Sequence, residues 1–422
     1  MREGTRVLVA LLAAIVVGLA IAGSGKPGLL RAADLVAPIG ALWVNAIRMT
    51  IIPLMVSVLI SGVASAADLR AIGRLGGRTL LVFVLLLTGT AAVIIPLSIA
   101  AFRLGATWIH HDPLARPPMP PGALEAVDQL AAGKDAVGFT SWVTSLLPTN
   151  PVAAAANGAM LPLIIFTLLF ALAIASSPPA ARETLLGFFR AVAEAMMVLV
   201  RWVLLFAPLG VFALLLPLAA RGGAGLAGAV GFYVVVYSLA CILMILLLYP
   251  VAALAGGVSM RRFARAVLPA QTIAFSSSSS LASLPALVEG AERELGLPER
   301  VTGFVLPLAV STFKICAPVS WTIGALFVGW FYGIPLGGLQ IATIAFASVF
   351  LAFAVPGVPR GAFLMLTPLF LAIGLPVEGI GILIAVDVIP DLFATVHNST
   401  GDFTAAVLVA RGADRSPATD AR

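Results

Sequence analysis

Five side chains that could bind a cation or a charged substrate recur near the end of the sequence: Asp387, Asp391, Thr395, Asn398 and Asp402. Successive spacings of four, four, three and four residues predict that they share one face of a helix. Three carboxylates in one stripe of an apolar helix are costly, and by default they mark a path for an ion or a polar substrate. His397 lies off this stripe, and we interpret it as a satisfied polar residue, although histidine can titrate near neutral pH.

Lys314 is the only charged residue between Arg300 and Arg360. Placing an ammonium group in hydrocarbon costs about 2.5–3.5 kcal/mol on the insertion scale, so its presence requires compensation. Such a lysine could neutralise Asp402 or Asp391, or bind backbone carbonyls, and buried lysines also lose their proton readily. The alternative is that Lys314 snorkels toward water or makes a purely structural pair.

Five consecutive serines at 276–280 interrupt an otherwise uncharged apolar stretch. Their hydroxyls are both donors and acceptors of hydrogen bonds, and Ser278, Ser279 and Ser280 are candidate substrate contacts. A low-complexity linker is the alternative interpretation. A linker would normally carry charge, whereas this run has apolar neighbours on both sides, so we favour a break in a membrane helix.

The composition identifies the setting of these residues. Of 422 residues, 61% are hydrophobic and 10% are charged, with a mean hydropathy of +1.10, whereas soluble domains carry roughly 25% charged residues. This predicts an all-α polytopic membrane protein whose surroundings are a lipid bilayer. The net charge of +6 reflects topology and does not indicate a nucleic-acid partner.

Basic residues cluster at four places along the chain: Arg2 and Arg6; Arg70, Arg74 and Arg78; Arg261, Arg262 and Arg265; Arg411 and Arg415. The positive-inside rule predicts that these ends are cytoplasmic, so both termini lie inside a plasma (inner) membrane. The first apolar run is expected to be a membrane helix and not a removed signal. The proline-rich stretch 104–140, with His110 and His111, is expected to be an external loop, and a metal role for the two histidines is a weaker alternative. Cys241 and Cys316 are interpreted as buried small hydrophobic residues.

Two interrupted apolar segments, 266–288 and 337–377, repeat one pattern. A Gly-Leu-Pro sequence follows each interruption, at 296–298 and at 374–376, and leads into a long apolar helix that carries charge, Lys314 in the first and Asp391 in the second. Paired broken segments in corresponding positions indicate the binding site of a secondary transporter. In such a site Asp391 is placed to hold an ammonium, while Asn398, serine and backbone N–H groups are placed to hold a carboxylate. That combination fits an amino acid.

Several of these motifs resemble the glutamate transporter family, the dicarboxylate/amino acid:cation symporters. The matching stretches are RMTIIPLMVSVLISGVAS, LLPTNPVAAAANGAMLPLIIFTLLFALA, FAPLGVFALL, SSSSSLASLP, AVPGVPRG, GLPVEG and DLFATVHNSTGDFT. The resemblance covers nearly the whole chain. It implies eight transmembrane helices and two re-entrant helical hairpins in inverted repeats, an elevator-type transport domain, and a homotrimer. At the tip of the second hairpin it implies substrate contacts by Val355 and Gly357.

The resemblance also implies a division of the chain. Scaffold helices 1 and 2 would occupy 1–70, helix 3 of the transport domain 71–103, the external loop 104–140, scaffold helices 4 and 5 141–222, the transport core 223–411 and a cytoplasmic tail 412–422. The core would comprise helix 6, a hairpin at 258–295, helix 7 at 298–333, a hairpin at 337–375 and helix 8 at 376–411.

The departures from the family pattern concern the coupling ion. The family's Asn-Met-Asp-Gly-Thr motif in an unwound part of helix 7 becomes Phe313-Lys314-Ile315-Cys316-Ala317 here. The residues that would offer oxygen to sodium are therefore replaced by apolar ones, although hard cations need several oxygen ligands. A Thr-Ser pair of helix 3 becomes Thr88-Gly89.

Other residues of the cation sites remain. Asp387 and Ser311 are candidate coupling residues, and Asn398 with Asp402 could form a residual sodium site. Our hypothesis is that Lys314 replaces a bound cation and frees transport from sodium; as an alternative, sodium or a proton remains the coupling ion. We expect no organic cofactor.

The substrate is predicted from one further departure. Family members that take acidic substrates carry an arginine where this chain has Ala394. Without a guanidinium, a side-chain carboxylate has no bidentate partner, so a small neutral amino acid or a related carboxylate is favoured. Arg360 could restore recognition of acidic substrates if it folded inward. The alternative functions are an acidic amino acid or dicarboxylate symporter, a non-transporting sensor or anion-conducting relative, and, least favoured, an intramembrane Ser/Lys hydrolase; we expect no enzyme.

Overall fold

The computed structural model describes residues 3–68, 74–108, 147–157, 160–222, 224–355 and 361–413. Every element in these ranges is a helix, which confirms the all-α prediction. Gly357, Arg360, His110 and His111 lie outside the described residues, as do most of the predicted external loop and the C-terminal tail.

The helices of the first half of the chain, in order, are α1 Glu3–Ser24, α2 Pro27–Asp68, α3 Arg74–Trp108, α4 Pro151–Ala156, α5 Met160–Ala175, α6 Pro179–Leu205, α7 Ala207–Gly222 and α8 Ala224–Gly256. Those of the second half are α9 Met260–Ser277, α10 Ser280–Glu289 with a π-helical turn Gly290–Glu294, α11 Glu299–Thr312, α12 Ala317–Tyr332, α13 Gly338–Phe350 with a 3-10 turn Leu351–Ala354, α14 Gly361–Ile373, α15 Glu378–Val386 and α16 Pro390–Ala413.

By length and apolar composition, four of the described helical segments could each cross a membrane: Pro27–Ala46, Leu75–Gly105, Gly228–Gly256 and Glu299–Tyr332. The count rises to six if two bent pairs, α6 with α7 and α15 with α16, are each taken as one span. These segments agree with a polytopic membrane protein, whereas the predicted count of eight spans stays a prediction.

The helices pack in two groups. In the first, α1 and α2 both lie against α7, and α2 also packs on α6 and α5. In the second, α16 is central and contacts α8, α9, α11 and α3, while α12 lies against α3, α8 and α13. The second group positions the candidate site, since the polar residues noted in the sequence are concentrated on α16 and on the helices around it.

Hydrogen bonds between side chains hold the first hairpin on α16. Gln271 on α9 donates from its amide nitrogen to the hydroxyl of Thr400 at 2.9 Å. The hydroxyls of Ser283 on α10 and Ser399 on α16 lie 3.0 Å apart. Both pairs are buried, where a hydrogen bond that is left unmade is costly, so these bonds fix the hairpin at one register along α16.

The acidic stripe does not lie on one continuous helix, as the sequence led us to expect. The helical path breaks at 387–389, and α15 and α16 meet at an angle of 82°. Pro390 explains this break, because the residue before a proline avoids the helical region and proline suits the first turn of a new helix. The expected single face holds only from Asp391 onward, and Asp387 lies at the bend.

One other predicted boundary differs. Residues 104–108 were assigned to the external loop and are helical, because α3 continues to Trp108. Where one helix with an unwound part was predicted at 298–333, the structure has α11 and α12 with a break at 313–316 between them.

Candidate functional site

A cavity of about 370 Å³ lies where the serine run, the break between α11 and α12, and the start of α16 meet. Most residues predicted to bind substrate or a cation line it: Ser278, Ser279, Ser280, Val355, Asp391, Ala394, Thr395, Asn398, Lys314, Ser311 and Asp387. Its volume suits a small organic molecule of the size of an amino acid. Residues separated by up to 120 positions in the chain therefore meet in one place.

The serine run turns the chain at the first hairpin tip. Ser278 adopts a left-handed conformation with φ of 51°, which ends α9. The hydroxyl of Ser279 then accepts a hydrogen bond from the backbone N–H of Ala282 at 3.3 Å and so caps the start of α10. A left-handed serine carries a strain of the order of 1–2 kcal/mol. The tip thus presents backbone groups of a helix end and a helix start beside the cavity.

Lys314 closes the end of α11. Its Nζ donates to the carbonyl oxygen of Val310 at 2.6 Å, and the side chain is partly buried in the cavity wall. The last carbonyls of a helix lack partners and carry the negative end of its dipole, so an ammonium is favoured there. Lys314 is also attracted electrostatically by Asp402 on α16.

Asp402 is fully buried and does not line the cavity. Neither of its carboxylate oxygens has a hydrogen-bond partner among the described residues. A buried carboxylate without partners is unfavourable unless a positive charge offsets it. Lys314 attracts Asp402 and reduces this cost only in part, because the effect of burial outweighs the attraction.

Phe313 and Ile315, the residues that flank Lys314, are both fully buried and offer no side-chain oxygen. The ring of Phe313 stacks on Phe83 of α3, with centroids 4.3 Å apart and planes 11° from parallel. Ile315 packs over Gly401, where an added Cβ would lie 2.5 Å from Ile315 Cγ2. Apolar packing fills the positions where the family motif has oxygen-bearing side chains, so these two side chains do not fit a sodium ion.

Asn398 connects α16 to the break between α11 and α12. Its Oδ1 accepts a hydrogen bond from the backbone N–H of Cys316 at 3.0 Å. This bond fixes the orientation of the amide and leaves its NH₂ group as the donor available to a ligand. One turn earlier, the hydroxyl of Thr395 donates to the carbonyl oxygen of Asp391 at 2.7 Å.

Two predicted cation residues are not brought to the cavity. Thr88 is exposed on α3 and does not line it, whereas Thr90, two residues further along the helix, is buried. The rotation of α3 therefore places the Thr88 hydroxyl away from the candidate site. Asp402 likewise does not line the cavity, although it attracts Lys314 electrostatically.

Ser277, from the serine run noted in the sequence, also lines the cavity, and so do Tyr237, Cys316 and Ser320, which were not predicted as site residues. Tyr237 could have been identified from the sequence, because Tyr233 and Tyr237 are one helical turn apart in an uncharged apolar helix. Tyrosines buried in an apolar segment usually direct a hydroxyl toward a polar partner. Cys316 had no such signal, since its neighbours in space come from other helices.

These observations define a class of protein. Apolar helices broken at polar tips, arranged around a cavity lined by charged and hydroxyl side chains, are the architecture of a membrane transporter. The chain belongs to the sodium:dicarboxylate symporter family, whose pattern it matches over residues 4–412. The resemblance stated from the motifs is thereby confirmed. Members of this family are transporters and not enzymes.

Relatives with established names include both acidic and neutral amino acid carriers. A proton/glutamate-aspartate symporter of Escherichia coli (strain K12) is 30% identical over 90% of this chain and 85% of its own length. A proton/sodium-glutamate symport protein of Bacillus subtilis (strain 168) is 31% identical over 96% and 92%. The neutral amino acid transporter B(0) of Homo sapiens is 28% identical over 97% and 80%.

Proposed function

We propose that this protein is a secondary transporter of a small neutral amino acid that works without sodium, with Lys314 standing where a bound cation would be. The observation that carries the proposal is the Lys314–Val310 hydrogen bond beside the cavity, with apolar side chains on both sides of the lysine. A membrane transporter of amino acids agrees with the named relatives. The proposal goes further than these names in two respects, the neutral substrate and the independence from sodium.

The substrate would bind through its two main-chain charges. Asp391 is partly accessible from the cavity and would hold the α-ammonium, and the free NH₂ group of Asn398 would donate to the α-carboxylate. Backbone N–H groups at the first hairpin tip would complete the carboxylate site, as helix starts do for anions. Ala394 presents only a methyl group to the cavity, so a neutral side chain is preferred over an acidic one.

The coupling part of the proposal follows from charge. A bound sodium ion would neutralise buried carboxylates while substrate enters and leaves, and a protonated lysine fixed to the chain would supply the same charge. Lys314 attracts Asp402 and caps α11, so one positive group acts on both the buried carboxyl group and the end of the helix. The residual pair of Asn398 and Asp402 offers too few oxygen ligands for a hard cation by itself.

The transport cycle proposed here is that of an elevator, in which the helices around α16 move as a unit against α1, α2, α6 and α7. The packing within each group is denser than the packing between the groups, which supports this division. By the family resemblance we further propose a homotrimer in the plasma membrane with both termini on the cytoplasmic side.

The experiment is uptake of radiolabelled amino acids into proteoliposomes, with external sodium replaced by choline. We expect serine- or alanine-sized substrates to exchange across the membrane at the same rate in both media. A strict requirement for sodium would overturn the sodium-independent part. Ligand binding without any exchange or net uptake would indicate a sensor.

A second candidate is a proton- or sodium-coupled symporter of acidic amino acids. It is favoured by the two bacterial relatives, a proton/glutamate-aspartate symporter and a proton/sodium-glutamate symport protein. The same proteoliposome experiment distinguishes the two candidate functions, because the second one predicts aspartate or glutamate uptake that depends on a sodium or proton gradient.

A further inference from the structure

Three side chains, two from helices and one from the break between α11 and α12, meet beside the cavity wall. Cys241 of α8, Cys316 from the break between α11 and α12, and His397 of α16 have potential ligand atoms that all lie within 4.8 Å of one another. The two sulfur atoms are 3.6 Å apart, and both cysteines are free thiols. Cys241 and Cys316 were expected to be buried small hydrophobic residues. They are buried as expected, but they form a cluster with a histidine.

His397 is the unexplained member of this cluster. Its side chain has no exposed surface, and neither ring nitrogen has a hydrogen-bond partner among the described residues. A buried imidazole without partners is costly in the folded state. His397 was expected to be a satisfied polar residue; in the described structure its ring lies within 4.8 Å of both cysteine sulfurs but makes no hydrogen bond of good geometry. A ligand that accepts an imidazole lone pair would satisfy it.

The geometry suits a tetrahedral soft metal ion. With metal–sulfur bonds of about 2.3 Å, tetrahedral zinc places two thiolate sulfurs about 3.8 Å apart. The observed separation of 3.6 Å between the Cys241 and Cys316 sulfurs requires little adjustment. Thiolate and imidazole are also the ligands that zinc prefers over the hard cations.

The summed charge of the three ligands favours zinc over other soft metal ions. Two thiolates and a neutral imidazole carry two negative charges, which a divalent ion cancels, whereas monovalent copper would leave one uncompensated charge. A neutral complex is favoured where solvent is excluded, and all three residues are buried. When zinc binds, each thiol releases its proton to solvent through the cavity and no electrons are transferred.

We propose that Cys241, Cys316 and His397 form a zinc site. Its fourth coordination position would be open toward the substrate cavity, since Cys316 and Tyr237 line that cavity and the Tyr237 hydroxyl lies 3.9 Å from the Cys316 sulfur. Bound zinc would join α8, the break at 313–316 and α16. Because Asn398 also bonds the Cys316 N–H, zinc would hold the break rigidly on α16. This proposal does not depend on which substrate is carried.

The test uses the full chain, purified with an affinity tag that contains no histidine, after zinc loading and dialysis. Elemental analysis is expected to give one zinc ion per chain. The content should fall to background in Cys241→Ala, Cys316→Ala and His397→Gln. The matched control is His110→Ala with His111→Ala, which removes the other histidines of the chain and should leave the zinc content unchanged.

X-ray absorption of the wild-type zinc-loaded protein keeps the test valid if a variant does not fold. We expect two sulfur neighbours at about 2.3 Å and a nitrogen neighbour at about 2.0 Å. A first shell of oxygen only, or zinc content equal in wild type and all three variants, would overturn the site. A Cys241–Cys316 disulfide as the stable state of the unreduced protein would also overturn it in favour of a redox pair.

Discussion

The Nζ of Lys314 lies 2.6 Å from the carbonyl oxygen of Val310, one helical turn earlier in the chain. The lysine thus folds back on the end of its own helix and places its positive charge where α11 stops. The negative end of the helix dipole and the buried Asp402 both favour a cation at this point.

Replacing Lys314 by methionine removes the charge and keeps a chain of similar length. Asp402 would lose the attraction of the ammonium group, and the carbonyl oxygen of Val310 would lose its hydrogen-bond donor. We therefore expect substrate exchange to fall by at least about tenfold, equivalent to about 1.4 kcal/mol. Sodium should not restore it, because Phe313 and Ile315 offer no side-chain oxygen. The measurement is exchange in proteoliposomes with and without sodium.

Lys314→Arg is the matched control, since it keeps the positive charge with a different shape. It should retain more exchange activity than Lys314→Met. Equal activity of Lys314→Met and wild type would show that the charge is dispensable.

Replacing Ala394 by arginine adds a guanidinium to the cavity wall. A bidentate pair with a side-chain carboxylate would then become possible, and we expect the ratio of aspartate to serine affinity to rise by about tenfold or more. Competition binding against a radiolabelled amino acid measures this ratio. Ala394→Gln controls for side-chain size without charge, and an unchanged ratio in Ala394→Arg would show that Ala394 does not face the substrate side chain.

Gly401 allows α16 to approach the break at 313–316. A Cβ there would lie 2.5 Å from Ile315 Cγ2, and Ile315 is fully buried. We expect Gly401→Ala to lower stability by about 1–3 kcal/mol through overpacking, seen as a lower thermal unfolding midpoint. Combining it with Ile315→Ala should recover part of the loss, because the two residues share one space.

Gly303 provides the control for this effect. It lies in α11 with nothing within 4 Å of an added Cβ, so Gly303→Ala should leave the midpoint unchanged or raise it. If Gly303→Ala and Gly401→Ala lowered the midpoint equally, the loss would come from the membrane helices in general and not from contact with Ile315.

The sequence predicted much of this site because its signals are local. An ammonium in an apolar run, a serine run without charge, and carboxylates at helical spacing each stand out within a short window. Charge is so costly in hydrocarbon that a single Lys314 or Asp391 is informative by itself. Lys314, Asp387, Asp391 and four of the five serines line the cavity, whereas Asp402 does not.

What the sequence could not supply depends on contacts between distant segments. Cys241, Cys316 and His397 are each unremarkable in their own helices and meet only in three dimensions. The rotation of α3, which turns Thr88 outward, is likewise set by packing. The bend before Pro390 was accessible in principle, because proline disfavours a helical predecessor, but the regular spacing of acidic residues suggested one helix.

The central claim is that substrate crosses the membrane without sodium. The most direct measurement follows radioactive sodium and a radiolabelled amino acid into the same proteoliposomes over one time course. The account predicts amino acid accumulation or exchange with no sodium entry beyond that of protein-free vesicles. Sodium entry in a fixed ratio to amino acid entry, abolished by Lys314→Met, would contradict it.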